Sequence, residues 1–117
     1  MAGVAPQDNR MEILIADDDP MSLTLVSALV RKLGHTVVLV ENGEAAVRAY
    51  EAHVPDLILM DGQMPVMDGF AATQRIREIG AHKWTPILFI AAESEQETIV
   101  RALDAGADDY LSKPVHP

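Results

Sequence analysis

The sequence contains no cysteine, which excludes disulfide bonds, thiolate metal sites and thiol nucleophiles and agrees with a reducing, cytoplasmic location. Basic residues are scarce: 9 Lys and Arg stand against 18 Asp and Glu, a formal net charge of −9 at pH 7. Proteins that bind a nucleic-acid backbone need clustered Lys and Arg, so we expect no direct contact with nucleic acid. No apolar run approaches the ~20 residues of a membrane span, so we expect no membrane insertion.

What the chain does have is the size and balance of one globular domain. Its 117 residues are 49% hydrophobic and 23% charged, and a chain of this length buries roughly two thirds of its unfolded surface. Residues 1–10 lack the charged-then-apolar pattern of a secretory leader, and we expect a disordered arm there. Residues 11–117 are expected to form the domain.

Apolar runs of strand length alternate with segments of helical spacing. Strands are predicted over residues 11–16, 37–40, 57–60, 87–90 and 109–112, and helices over about 20–33, 44–52, 70–79 and 95–105. Asp19 before Pro20, Asp68, and the capping box of Ser94 and Glu97 mark helix starts. Four strands are continuous apolar runs, which indicates a doubly wound α/β fold with a parallel sheet covered on both faces.

Acidic side chains and one lysine follow three of the predicted strands. Asp17 and Asp18 follow the first strand, Asp61 the third and Lys113 the fifth. The carboxyl ends of parallel strands share one edge, so we expect these residues to form one pocket. Clustered carboxylates repel one another, and Mg²⁺, which commonly binds one or two carboxylates together with phosphate, would relieve that repulsion. Lys113 would supply a positive charge for a phosphoryl group.

Each of these features has a simpler explanation when taken alone. The run Asp17–Asp19 could serve only as a helix cap, Asp61 as a turn residue, and Lys113 as a solvated charge. Three separate strand ends that supply complementary charges are harder to explain as scaffold, so the joint placement favours a functional site.

Three segments carry a resemblance to a known family. The motifs I-L-I-A-D-D-D-P, D-L-I-L-M-D-G-Q-M-P-V-M-D-G-F and G-A-D-D-Y-L-S-K-P, within about Glu12 to Val115, resemble the receiver domain of two-component response regulators. The resemblance implies a five-stranded, flavodoxin-like sheet of order 2-1-3-4-5. It also implies a phosphorelay function with a histidine kinase or phosphotransfer protein as partner and an output domain beyond residue 117 or on another protein.

The resemblance assigns a role to each site residue. Asp61 matches the phosphoacceptor, whose carboxylate attacks the phosphoryl group of a phosphohistidine or a small phosphodonor. Asp18, Asp61 and the backbone carbonyl of Gln63 would bind Mg²⁺, with Asp17 acting mainly through water. Lys113 would pair with the phosphoryl oxygens. The family's bond between Lys113 and the following proline is cis.

Two switch positions are also implied, and one departs from the family. Tyr110 matches the aromatic switch residue on the fifth strand. Ala91 stands where the family has Thr or Ser, whose hydroxyl bonds a phosphoryl oxygen, and Ser94 lies three residues too late to replace it. We therefore expect phosphorylation of Asp61 but weak coupling to Tyr110, or coupling through another contact; an engineered substitution at residue 91 is the alternative explanation.

A second departure concerns the fifth helix of the family, which is missing from this chain. Only Val115, His116 and Pro117 follow the K-P motif. With right-handed crossovers, the first helix covers one face of the sheet and the next three cover the other. One face would be half bare, so we expect a C-terminally truncated chain that forms a dimer or is marginally stable.

Three functions remain open on these residues. The first is the phosphoacceptor switch, which phosphorylates itself and is not an enzyme with a released product. The second is a Mg²⁺-dependent aspartyl-phosphate phosphatase, although Gln63 stands where its second acid would be expected. The third, motivated by Ala91, is a pseudo-receiver that binds a partner without phosphorylation. Gln63 and Glu93 match positions that flank the phosphoryl pocket, and the four histidines share no ligand spacing.

Overall fold

The computed structural model describes residues 9–80, 83–92 and 96–113, with the backbone but not the side chains of Ala92 and Lys113. Several expectations therefore lie outside the described residues. These are the arm over residues 1–8, the roles of Glu93 and Ser94, and the peptide bond to Pro114.

Five strands and four helices alternate along the described part of the chain. They are β1 (Glu12–Ala16), α1 (Pro20–Lys32), β2 (Thr36–Val40), α2 (Gly43–Ala52), β3 (Leu57–Asp61), α3 (Gly69–Ile79), β4 (Ile87–Ala92), α4 (Gln96–Ala105) and β5 (Asp109–Lys113). All strand pairs are parallel, in the order β2-β1-β3-β4-β5. The predicted doubly wound, flavodoxin-like fold is confirmed.

Side-chain caps explain where the first three helices begin. Asp19, Asn42 and Asp68 accept hydrogen bonds from backbone amides two or three residues further on, at 3.1, 2.8 and 2.8 Å. Each cap satisfies a helical N–H that would otherwise have no partner. Pro20 occupies the first helical position of α1, where its missing N–H costs nothing.

The helices divide between the two faces of the sheet as the crossover rule predicts. On one face α1 packs on the sheet through Leu23, Val26 and Val30, against a set of residues that includes Ile15 and Ile90. On the other face α2, α3 and α4 pack against Leu14, Ala16, Ile58, Met60, Ile87 and Phe89. The three helices on that face seal it, since all six of these strand side chains are buried.

The α1 face is less completely covered toward β5. Leu111 lies beside Ile90 on this face and is 43% exposed, whereas Phe89 on the opposite face is 0% exposed. Leu57 and Leu88 on the α1 face are only half-buried. The expected dimerisation through this face stays a prediction that sedimentation analysis can check.

A network around Arg77 holds the N-terminal edge of the sheet together. The Arg77 guanidinium donates to the Gly106 carbonyl at 3.0 Å, the Thr85 carbonyl at 2.8 Å and Asp108 Oδ2 at 2.9 Å. Its carbon Cζ also lies 3.7 Å from the centroid of the Trp84 ring. Burial lowers the pKa of Arg77, and Asp108 opposes that shift. The guanidinium thereby ties α3 to the start of β4 and to the loop before β5.

A second pairing at the same edge involves Asp56, just before β3. Its carboxylate accepts from the backbone amide of Glu12 at 2.8 Å and from Lys83 Nζ at 3.0 Å. These two hydrogen bonds, the amide first, lower the pKa of Asp56 below its ordinary value. Asp56 thus pairs with the charge of Lys83 and links the segment before β3 to the first residue of β1.

Candidate functional site

The acidic residues singled out in the sequence converge at the C-terminal edge of the sheet. Asp17 and Asp18 follow β1, and Asp61 is the last residue of the adjacent β3. Each of the three offers a carboxylate oxygen, and these oxygens all lie within 4.8 Å of one another. The predicted juxtaposition of the three acids is therefore present in the structure.

The three carboxylates differ in how far they are buried. Asp17 is 1% exposed, Asp61 is half-buried and Asp18 is exposed. The Asp17 amide donates to the Val40 carbonyl at 3.1 Å, and its Oδ1 accepts from the amide of Asp19 at 2.9 Å. These bonds pin Asp17 at the base of the cluster, with Asp18 and Asp61 above it nearer solvent.

Asp19, the third acid of the run, serves the helix instead. Its Oδ1 accepts from the Met21 amide at 3.1 Å and its Oδ2 from Ser22 Oγ at 3.1 Å. Both oxygens are therefore engaged at the start of α1. The capping explanation is correct for Asp19, while Asp17 and Asp18 belong to the cluster.

The loop after Asp61 folds back tightly over the strand end. The Gly69 amide donates to the Gly62 carbonyl at 2.9 Å, and a Cβ on Gly69 would overlap the carbonyl oxygen of Asp61. Only glycine fits such a close backbone approach. Gln63, two residues beyond Asp61 in this loop, is exposed. Its backbone N–H nitrogen lies 3.5 Å from Asp61 Oδ1.

An open cavity of about 520 Å³ adjoins the acidic cluster. Its lining includes Asp18, Asp61 and Gln63 as well as Ile90, Ala91 and Thr98. Such a space is large enough for a phosphoryl group with its metal and waters. The lining combines acidic and apolar side chains.

The remaining predicted residues lie along the same edge or next to it. Lys113 ends β5 and pairs in register with Ala92, so its backbone is at this edge, while its side chain is not described. Ala91 is 5% exposed at the end of β4. Tyr110 is 37% exposed and pairs in register with Phe89, two residues back from the Ala91 level.

Thr98, on the first turn of α4, is the lining residue that sequence reasoning missed. A threonine near a helix start is ordinary, and the sequence offers no sign that it lines the same cavity as Asp61. Only the packing of α4 against the sheet brings the two into one cavity.

The chain has relatives among known proteins. The family model described as "Response regulator receiver domain" matches residues 13–117. The chain belongs to the response regulator receiver domain family. The predicted resemblance is confirmed, and the protein is a receiver domain of two-component signalling.

Two curated relatives illustrate the kinship of this receiver domain. It is 38% identical over 109 residues to the gliding motility regulatory protein of Myxococcus xanthus and 42% identical over 106 residues to the sensor protein GacS of Pseudomonas syringae pv. syringae. The alignments cover 93% and 88% of this chain. The chain spans only 14% and 12% of the lengths of those proteins.

Solved structures agree with the fold. A putative response regulator from Chloroflexus aurantiacus superposes with a TM-score of 0.88 at 30% identity, covering 93% of this chain and 89% of that one. The receiver domain of the sensor histidine kinase PA1611 from Pseudomonas aeruginosa has a TM-score of 0.84 at 40% identity, covering 91% and 87%. That structure carries a magnesium ion coordinated in its active-site cleft.

One further property concerns the whole described chain. None of the helices in the described ranges is long and apolar enough to cross a lipid bilayer.

Proposed function

We propose that this receiver domain accepts a phosphoryl group on Asp61, with Mg²⁺ as cofactor. The observation that carries the proposal is the meeting of Asp17, Asp18 and Asp61 at the end of the central strand, beside a cavity that can hold the transferred group. The magnesium ion in the cleft of the PA1611 receiver domain supports the choice of metal.

The donor set at the cluster fits a magnesium ion. Mg²⁺ prefers hard oxygen ligands and usually keeps several waters, and three carboxylates within 4.8 Å of one another offer such ligands. Asp18, Asp61 and the Gln63 backbone carbonyl would bind the ion directly, and the buried Asp17 would act mainly through water. When bound, the ion neutralises the charge that develops on the phosphoryl oxygens.

The chemistry assigned to Asp61 is a displacement at phosphorus. A carboxylate oxygen of Asp61 forms the new P–O bond, while the P–N bond of a phosphohistidine breaks. The electron pair of that bond goes to the leaving imidazole, which takes up a proton. The product is an acyl phosphate on Asp61, and Lys113 at the end of β5 would pair with its oxygens.

The domain would then act as a self-phosphorylating switch and not as an enzyme with a released product. Its phosphodonor would be a histidine kinase or a phosphotransfer protein in the cytoplasm. Its output would lie beyond residue 117 or on another protein. A sensor protein and a gliding motility regulator among the relatives support this placement in signalling.

The test is phosphorylation by acetyl phosphate with Mg²⁺, followed by intact-mass measurement. The wild type should gain the mass of one phosphoryl group, and Asp61→Asn should gain none. Asp68→Asn is the matched control, since Asn caps α3 about as well as Asp and Asp68 is not one of the clustered acids. Sustained phosphate release would indicate the phosphatase instead.

Ala91 favours one other function, the pseudo-receiver that binds a partner without phosphorylation. Its methyl group cannot donate a hydrogen bond to a phosphoryl oxygen. A wild-type protein that shows no mass gain and no response to beryllofluoride would establish that alternative and refute the phosphoacceptor.

A further inference from the structure

Thr98 is one of the residues that line the cavity beside Asp61. It is the third residue of α4 and is half-buried. Of the described residues that line this cavity, it alone bears a side-chain hydroxyl. The neighbouring wall residue on β4, Ala91, is 5% exposed and offers only a methyl group.

The phosphoryl group proposed for Asp61 needs donors for three oxygens. A metal ion and Lys113 account for two of them under the proposed function, on which this inference rests. A third oxygen turned toward Ile90 and Ala91, two of the lining residues, would meet no side-chain donor there. An anionic oxygen left without a donor in such a place is costly, so the wall should supply one.

We propose that the hydroxyl of Thr98 donates to the third phosphoryl oxygen on Asp61 and takes over the contact that Ala91 cannot make. The donor therefore sits on α4 and not on β4. Gln63, which is exposed, carries the other side-chain donor among the described lining residues. Thr98 would act as a positioning residue for the phosphorylated state.

The position of the donor has a consequence for signalling. A hydrogen bond from Thr98 joins the phosphoryl group directly to the first turn of α4. Phosphorylation would then shift α4 itself, without needing Tyr110, which is 37% exposed and pairs in register with Phe89 at a level short of Ala91. The helix becomes the element whose position reports the state of Asp61.

The experiment measures beryllofluoride binding with Mg²⁺ and the amide chemical shifts of α4. In the wild type, the α4 amides should shift on binding. Thr98→Val, which keeps the shape but loses the hydroxyl, should weaken apparent beryllofluoride affinity about tenfold, equivalent to about 1.4 kcal/mol, and reduce the α4 shifts. Thr98→Ser should retain both, and Ala91→Thr should restore the affinity of Thr98→Val.

The matched control is Thr24→Val, the same substitution at an exposed position of α1 outside this cavity. It should change neither readout. If the wild type binds beryllofluoride and Thr98→Val binds it equally well with the same α4 shifts, Thr98 is not the donor. A wild type that neither binds beryllofluoride nor gains phosphoryl mass would refute the proposed function, and this inference with it.

Discussion

The two edges of the sheet differ in how their carboxylates are surrounded. At the N-terminal edge, the carboxylates of Asp56 and Asp108 each lie against a basic side chain. At the C-terminal edge, the carboxylates of Asp17, Asp18 and Asp61 lie against one another. At the first edge each of these carboxylates has a basic partner, and at the second the proposed function assigns the three carboxylates to a magnesium ion.

The proposed function accounts for this difference between the two edges. The ion pairs at the N-terminal edge link the segments that precede the strands. Each pair is neutral, so it adds little electrostatic repulsion to the folded state. Under the proposed function, the clustered like charges at the C-terminal edge repel one another in the absence of an ion, and binding of Mg²⁺ relieves that repulsion. Removing a charge should therefore change stability in opposite directions at the two edges.

The largest effect is expected from Arg77→Ala at the N-terminal edge. The change removes hydrogen bonds to two carbonyls and leaves Asp108 without its ion-pair partner. We expect the free energy of unfolding to fall by about 3 kcal/mol in chemical denaturation. Arg75→Ala, at an exposed position of the same helix, should change it by less than about 0.5 kcal/mol. Equal losses in the two variants would show that the network does not hold this edge.

A smaller effect of opposite sign is expected from Asp18→Asn at the C-terminal edge. Without divalent ions the variant should be more stable than wild type by about 1 kcal/mol, because one of three clustered charges is gone. The stabilisation of the wild type by Mg²⁺ should largely disappear in the variant. Thermal unfolding with and without Mg²⁺ measures both. If the variant is less stable than wild type in the absence of metal, the expected opposite signs of the stability change at the two edges are wrong.

The smallest effect is expected from Asp56→Asn, and it should depend on pH. The folded-state pKa of Asp56 is lowered below 3.8 by the Glu12 amide and Lys83, so its stabilising contribution is present above that value. The contribution is lost as the pH falls through the folded pKa. We expect wild type to exceed the variant by about 0.5 kcal/mol at pH 7, with the gap closing in acid.

The control for this last comparison is Asp104→Asn at an exposed position of α4. Urea denaturation at several pH values follows both variants. A gap for Asp56→Asn that stays constant from neutral to strongly acidic pH would show that the carboxylate charge is not what stabilises this edge.

Much of the fold could be predicted from local patterns in the sequence. The β3 run and Asp61 at its end, the cap of Asp19 with Pro20 and the cap of Asp68 all lie where the sequence places them. The strand ends differ by one or two residues, as with β4, which continues beyond Ile90 to Ala92. Such boundaries depend on hydrogen bonds to neighbouring strands, and those are not local.

Part of the site could also be predicted from the sequence, because it follows from the predicted strand ends. Parallel strands bring their carboxyl ends to one edge, so the sequence predicts that Asp17, Asp18 and Asp61 lie together. Thr98 could not be found this way, because its approach to the cavity depends on how α4 packs against the sheet. Neither could the division of labour between Asp17 and Asp19, which hydrogen bonds decide.

The sequence by itself determined the strand and helix alternation, the membership in the receiver family and the set of acids at one edge, because apolar period, caps and strand ends are local properties. The tertiary structure alone decided which acid is buried, which one caps a helix and which hydroxyl lines the cavity beside Asp61. Those outcomes depend on packing between segments far apart in the chain. A shift of a few ångströms in that packing decides whether a side chain can reach the site.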